Sequence, residues 1–188
     1  ERLVLILRPD AQSLDHLVDG LVGIVRPEDA HILLGIEAEA HVVAEEFGWG
    51  NSGLSISLGA GGMPFRFAAM TGNPDLMREV VMPYVEDREG RYVGCWGGTE
   101  PNHGSDLILV PDDPNVHLDC AARKDGDEWV INGQKSSWVS NGTIATHCLA
   151  FLSVRPDLGM TGTGIAIIPL NLPGVSKGPP LNKLGQRA

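Results

Sequence analysis

The densest run of chemically special residues is Cys95-Trp96-Gly97-Gly98-Thr99-Glu100-Pro101-Asn102-His103-Gly104-Ser105-Asp106. It reads as a strand end opening into a glycine-containing loop. Gly97 and Gly98 lack Cβ atoms and let the backbone approach a flat, bulky group. Pro101 fixes φ and removes a donor, which shapes the turn. Thr99 and Ser105 bring hydroxyls, and Gly104 leaves a backbone N–H able to point outward. Such a loop suits a flat polar ligand with a phosphate tail. It equally suits a plain Asx- or Ser-type connection capping a hairpin, and the pattern alone leaves both readings open.

Other chemistries fail on spacing. A dinucleotide fingerprint needs G-x-G-x-x-G between a strand and a helix. Gly159, Gly162 and Gly164 lack that spacing and precede a strand, and Gly59, Gly61 and Gly62 lack a third glycine in register. No Gly-Lys-Ser/Thr phosphate loop and no H-E-x-x-H are present. The histidines His16, His31, His41, His103, His117 and His147 are scattered, so no metal site is expected. Cys95, Cys120 and Cys148 are odd in number and far apart. That argues against a disulfide framework and for a reduced, cytoplasmic setting. Asn141-Gly142-Thr143 fits a glycosylation pattern, but nothing else points to secretion.

The elements that must position the loop fall into two halves. Residues 1–90 have helical spacing and are expected to form a helical N-terminal domain. Ser13 caps a segment through Leu14, Leu17, Val18, Leu21 and Val22. Pro27 opens a second helix through Ile32, Leu33, Ile36, Ala40, Val43 and Phe47, ended by Gly48 and Gly50. Ser52 to Gly62 reads as a buried, glycine-rich helix. Asn73-Pro74-Asp75 starts a last helix through Leu76, Val80, Val81 and Tyr84.

Residues 91–188 change to a period of two. Leu118 to Arg123 and Glu128 to Ile131 read as strands about a turn at Lys124-Asp125-Gly126-Asp127, with Trp129 and Ile131 on one face. Asn132-Gly133 predicts a tight hairpin into a strand from Gln134 to Val139. Cys148 to Val154 and Gly164 to Leu170 are apolar enough for strands buried on both faces. The expected fold class is α+β: a helical domain followed by an antiparallel β-barrel or sandwich.

Composition narrows the partners. The chain has 188 residues, 43% of them hydrophobic, and a formal net charge of −10. It can bury a core. It has no basic footprint for nucleic acid, and no stretch approaches the roughly 20 apolar residues of a membrane span. The apolar start, Glu1 to Leu7, is short and lacks a small-residue cleavage site, so it does not read as a signal peptide.

Several stretches, in one order, decide between the readings of the loop. Thr99-Glu100-Pro101-x-x-Gly104-Ser105-Asp106 resembles a signature of the acyl-CoA dehydrogenase family. Ile131 to Gly142 resembles that family's "NGxKxWITNG" run, Pro173-Gly174-Val175 its "PGV" turn, and Lys183 to Arg187 its "KLGxR" run. Ala44 to Gly48, Gly72 to Asp75 and Met82-Pro83 fit the family's helical domain. The likeness covers Arg91 to Ala188 best.

The resemblance implies a three-domain fold, of which this chain carries a helical domain and part of the central β-domain. It implies that the chain is a fragment, a proteolysed product or half of a split enzyme, with a C-terminal four-helix domain absent. It also implies FAD, with Trp96, Gly97, Gly98 and Thr99 along one side of the ring. Gly104 and Ser105 would lie near the pyrophosphate, Trp138 and Val139 at the ring's face, and Ser140 toward N5; Ser105 would also lie on the substrate side. Ser140 stands where the family usually has threonine. The implied reaction is α,β-dehydrogenation of an acyl-CoA thioester, with hydride transfer to the flavin and electrons passing to electron-transferring flavoprotein. The family's catalytic base is expected beyond Ala188, and Glu100 is expected to be salt-bridged scaffolding. A homo-oligomer (dimer or tetramer), or a partner chain supplying the missing domain, is expected. The rival readings are a flavin-dependent monooxygenase or oxidase of the same fold, and a non-catalytic subunit of a flavoprotein complex.

Overall fold

The computed structural model describes residues 6–7, 30–105 and 113–185. The expected helix capped by Ser13, the start of the next at Pro27, Asp106 and the run Gln186-Arg187-Ala188 lie outside these residues.

Helix α1 (Ala30–Gly61) breaks once, at Asn51, whose backbone is extended (φ −161°, ψ 98°). The break follows Gly48 and Gly50, where the sequence places the helix end. The chain does not leave the helix there, because Asn51 Oδ1 accepts from the Leu54 N–H at 3.0 Å and caps a fresh helical start. The helix after the break is not the buried one expected. Leu54, Ile56 and Leu58 are all exposed, since helix packing touches only part of its surface.

Helix α2 (Met63–Met70) follows. Asn73 then caps α3 (Pro74–Leu76) as expected, its Oδ1 accepting from the N–H groups of Asp75 and Leu76 at 2.8 and 3.3 Å. The chain continues through a π-helical turn (Met77–Val81) into α4 (Met82–Glu86). Pro83 cannot donate to the preceding turn and its ring crowds the carbonyl there. The wider turn, closed by the Met82 N–H on the Met77 carbonyl, accommodates it.

The strands are β1 (Ile6–Leu7), β2 (Gly94–Gly97), β3 (Ala121–Asp125), β4 (Glu128–Asn132), β5 (His147–Ser153) and β6 (Thr163–Pro169). They form one sheet in the order β1-β6-β5-β3-β4, with β2 also paired to β5. The sheet is open and mixed, which corrects the antiparallel barrel or sandwich. β2 runs parallel to β5 over Gly94–Gly97 against His147–Ala150, and β3 meets β5 in parallel at Ala121 and Ser153. A period of two specifies alternation but not strand direction.

The β3–β4 hairpin turns through Asp125 to Glu128 as expected, but begins at Ala121 rather than Leu118. The hairpin expected at Asn132-Gly133 and the strand from Gln134 to Val139 are absent. Gly133 has φ +140°, and a Cβ there would lie 2.5 Å from Cys120 Cα. That glycine serves a close crossing over the neighbouring chain rather than a tight turn.

The two faces of β5 and β6 carry separate cores, as their apolar runs predict. Cys148, Ala150, Leu152 and Ala166 face one side, where Cys95, Cys120 and Ala122 join them and Trp129 and Ile131 pack together. Leu149 and Ile167 face the other side, against Ala68, Leu76 and Val81 of the helices. The helices lie close on β2 because Gly94 has no Cβ: one would stand 2.4 Å from Pro64 Cδ and 2.6 Å from the Gly61 carbonyl oxygen.

Candidate functional site

The site is built around Glu100. Its side chain is fully buried, and every oxygen is engaged. Oε2 accepts from the Asp119 N–H at 2.6 Å, and Oε1 accepts from the Cys120 N–H at 3.0 Å and from Lys135 Nζ at 2.6 Å. A buried carboxylate is tolerable only when paired and hydrogen-bonded in this way. Glu100 is therefore the scaffold the sequence suggests. Lys135 also donates to the Gly98 carbonyl at 3.2 Å, so one ammonium holds both sides of Thr99.

The following residues close a turn, with Glu100 N–H on the His103 carbonyl at 3.0 Å and His103 N–H on the Glu100 carbonyl at 3.3 Å. Asp119 secures it, accepting from Asn102 Nδ2 at 3.0 Å and lying 3.5 Å from His103 Nε2. The Asn102 amide holds the Asp119 carboxyl below its ordinary range. Ligand atoms of Glu100, His103 and Asp119 all lie within 4.8 Å of one another. The Lys135 ammonium on Glu100 opposes a further cation there.

The segment after β4 joins this loop. Thr99 Oγ1 donates to the Ser136 carbonyl at 2.8 Å, and the Ser136 N–H donates to the Thr99 carbonyl at 3.1 Å. The two stretches that the sequence singles out, about Thr99 and about Trp138, are thus bound side by side. Ser137 and Asn141 have positive φ, 70° and 66°, and bend the segment out of strand geometry. Trp138 is 59% exposed, with Lys183 Nζ 3.5 Å from its ring centroid. Val139 packs on the apolar core and Ser140 is half-buried.

Other singled-out residues have different surroundings. The Trp96 indole points into the helix-side core, 4.9 Å from the Phe151 ring and 6.1 Å from Phe67. Gly97 pairs with Ala150 inside the sheet, and a Cβ on it would meet Cys148 Sγ at 2.8 Å. A Cβ on Gly98 would meet Trp96 Nε1 at 2.8 Å. Those glycines make room for the protein's own side chains. A Cβ on Gly104 would meet nothing within 4 Å, and Ser105 is exposed. The exposed Trp138 indole presents an aromatic face, and Ser105 presents an exposed hydroxyl.

Asn141 has a role that sequence reasoning missed. Its Nδ2 donates to the Ser57 and Gly94 carbonyls at 2.8 and 3.1 Å, and its Oδ1 accepts from Ser57 Oγ at 2.5 Å. It ties helix α1, strand β2 and the Trp138 segment together. Lys135 and Asp119 were equally silent, since their partners are 35 and 19 residues away. The signal available for Asn141 was its type: asparagine tolerates the left-handed backbone better than other non-glycine residues.

The sequence pattern of the family described as "Acyl-CoA dehydrogenase, middle domain" matches residues 95–188. The chain belongs to the acyl-CoA dehydrogenase family. It is 29% identical over 150 residues to glutaryl-CoA dehydrogenase of Desulfococcus multivorans, covering 79% of this chain and 36% of that protein. It is 31% identical to the mitochondrial short-chain specific acyl-CoA dehydrogenase of Bos taurus, covering 62% of this chain and 26% of that protein. Among solved structures it resembles a glutaryl-CoA dehydrogenase from Mycobacterium smegmatis in complex with FADH2. The TM-score is 0.60 at 26% identity, over 77% of this chain and 33% of that one. The chain thus spans roughly a third of the length of these relatives.

Proposed function

We propose that this chain forms the flavin-facing part of an FAD-dependent acyl-CoA dehydrogenase, which removes hydrogens from the α and β carbons of an acyl-CoA thioester. The observation that carries this reading is the Thr99–Ser136 junction, which binds the segment carrying the exposed Trp138 indole to the loop within the family-matched region. Similarity to the enzyme of known structure with FADH2 supports FAD as the cofactor.

Bound FAD supplies the hydride acceptor. The residues of this chain bind and orient it. Trp138 offers an aromatic face, and Ser140 and Thr99 offer hydroxyls. The Thr99 proton is engaged by Ser136, which leaves its oxygen as an acceptor. Ser105, exposed, and the Gly104 backbone suit the phosphate side, and Ser105 the substrate. Trp96, Gly97 and Gly98 contribute through backbone, because their side-chain space is taken by the core. Fixed hydroxyl and amide groups at a ring that gains electron density on reduction tune its chemistry.

Glu100 is committed to Lys135 and two amides, so it does not take up a substrate proton. We assign the proton-abstracting carboxylate to a segment outside this sequence. Electron-transferring flavoprotein is the proposed acceptor of electrons, and a homo-oligomer or a partner chain is proposed to complete the site. The three free cysteines support a cytoplasmic or otherwise reducing compartment.

The test uses the full-length protein. Anaerobic mixing with a panel of acyl-CoA thioesters is expected to bleach the flavin absorbance. Trp138→Ala is expected to lose FAD on dialysis. A protein that neither binds FAD nor bleaches with any thioester overturns the reading. Bound FAD that no thioester bleaches favours the non-catalytic alternative.

A further inference from the structure

Trp138 sits on a stretch that no strand pairing holds. The chain between β4 and β5 has no ladder of its own, and the residue before Trp138 is in the left-handed region. The indole is largely exposed. Something other than the sheet must set the plane of its ring.

The C-terminal stretch supplies a candidate. After β6 the chain returns across the molecule and is anchored at two points. Lys177 Nζ donates to the Ala145 carbonyl at 2.5 Å, and the Gly185 carbonyl accepts from Ser52 Oγ at 3.1 Å on helix α1. Gly185 has φ +71°, which only a glycine adopts without strain. Between the anchors Lys183 is half-buried while Leu181, Asn182 and Leu184 are exposed. Its Nζ lies 3.5 Å from the centroid of the Trp138 ring. Cation–π attraction favours that placement.

We infer that Lys183 is a positioning residue for Trp138: it covers one face of the indole and holds the ring ready for a flat cofactor on the other. The inference rests on the reading that Trp138 faces FAD. Two consequences follow. An indole fixed in advance loses less rotamer freedom on binding. A cation behind it adds positive potential beside a ring that becomes more negative when reduced. Lys183 thereby contributes both to cofactor affinity and to the flavin's potential.

The experiment compares Lys183→Met, Lys183→Arg and Trp138→Ala in the full-length protein labelled with 5-fluorotryptophan. The Trp138 fluorine resonance is identified by its loss in Trp138→Ala. Lys183→Met is expected to move that resonance and to weaken FAD binding by about two- to five-fold, the size of an exposed cation–π contact. It is also expected to shift the midpoint potential of bound flavin to more negative values. Lys183→Arg keeps the cation and is expected to restore all three. An unmoved resonance, or unchanged affinity and potential, in Lys183→Met overturns the inference, as does an effect that arginine does not reverse. If Trp138→Ala binds FAD as tightly as the parent, the flavin reading of Trp138 fails and this inference with it. If Trp138→Ala weakens binding while Lys183→Met does not, only the role of Lys183 falls.

Discussion

The Lys135 ammonium sits 2.6 Å from the Glu100 carboxylate, with the Glu100 side chain fully buried and that of Lys135 one-tenth exposed. Removing either partner strands the other charge in a place water barely reaches. Glu100→Ala is expected to cost about 3–5 kcal/mol, as for other broken buried pairs. Lys135→Met is expected to cost less, because the Asp119 and Cys120 amides still satisfy Glu100. Urea unfolding of the single and double variants checks this. A double variant no less stable than Glu100→Ala alone is the expected sign of coupling.

Asn141 joins three segments through buried hydrogen bonds. Asn141→Ala removes them and forces a β-carbon residue without a polar side chain into φ 66°. A loss of about 2–3 kcal/mol is expected from the hydrogen bonds and stranded carbonyls. Asn141→Gly relieves the backbone term and should fall between alanine and the parent. Hydrogen exchange is expected to rise first at amides of helix α1 and strand β2 around Ser57 and Gly94, whose carbonyls lose their donor.

His147 is packed among Phe65 and Tyr92, with ring centroids 5.3 and 5.8 Å away, and its Nδ1 lies 3.0 Å from Thr146 Oγ1. Burial pushes its pKa below the ordinary 6.5. The unfolded chain then binds a proton that the folded chain refuses. Its stability contribution is complete above about pH 6.5 and declines as the pH falls from there toward the lower folded pKa. His147→Gln should flatten the dependence in that window. The lowered carboxyl pKa values of Asp87, Asp119 and Asp157 act at more acid pH and leave the comparison clean.

The three thiols are all buried. Cys148 shares a hydrogen bond with Cys95, and that bond with burial pushes its pKa well above the ordinary thiol range. Burial also raises Cys120. The bond to Cys148 lowers the pKa of Cys95, but Cys95 is 1% exposed, so burial keeps a thiol reagent from all three cysteines of the folded protein over minutes, and all three are expected to be modified in denaturant. Rapid labelling of Cys148 in the folded state would contradict the packing described.

Local structure was legible at several places where it depends on neighbours in sequence. The Asn73 cap, the turn before Glu128, the faces of Trp129 and Ile131, and the apolar strands β5 and β6 all follow from spacing and residue type. The Asn132-Gly133 hairpin misled because glycine satisfies two needs. A tight turn and a close crossing both require it, and only the position of Cys120 tells them apart. The scaffold role of Glu100 was legible through resemblance, but its partners were not.

By itself the sequence determined many of the helical and extended segments, apolar strands able to enter a core, and the peptide patterns that mark the family. Tertiary structure alone decided that β2 and β5 run parallel, that Trp96 turns inward while Trp138 stays open, and that Lys135, Asn141 and Lys183 become the ties of the site. The physical reason is range. Capping, alternation and turn chemistry act over a few residues and are written in order along the chain. Buried ion pairs, side-chain bridges and cation–π contacts join residues tens of positions apart, and the folded chain must first bring them together.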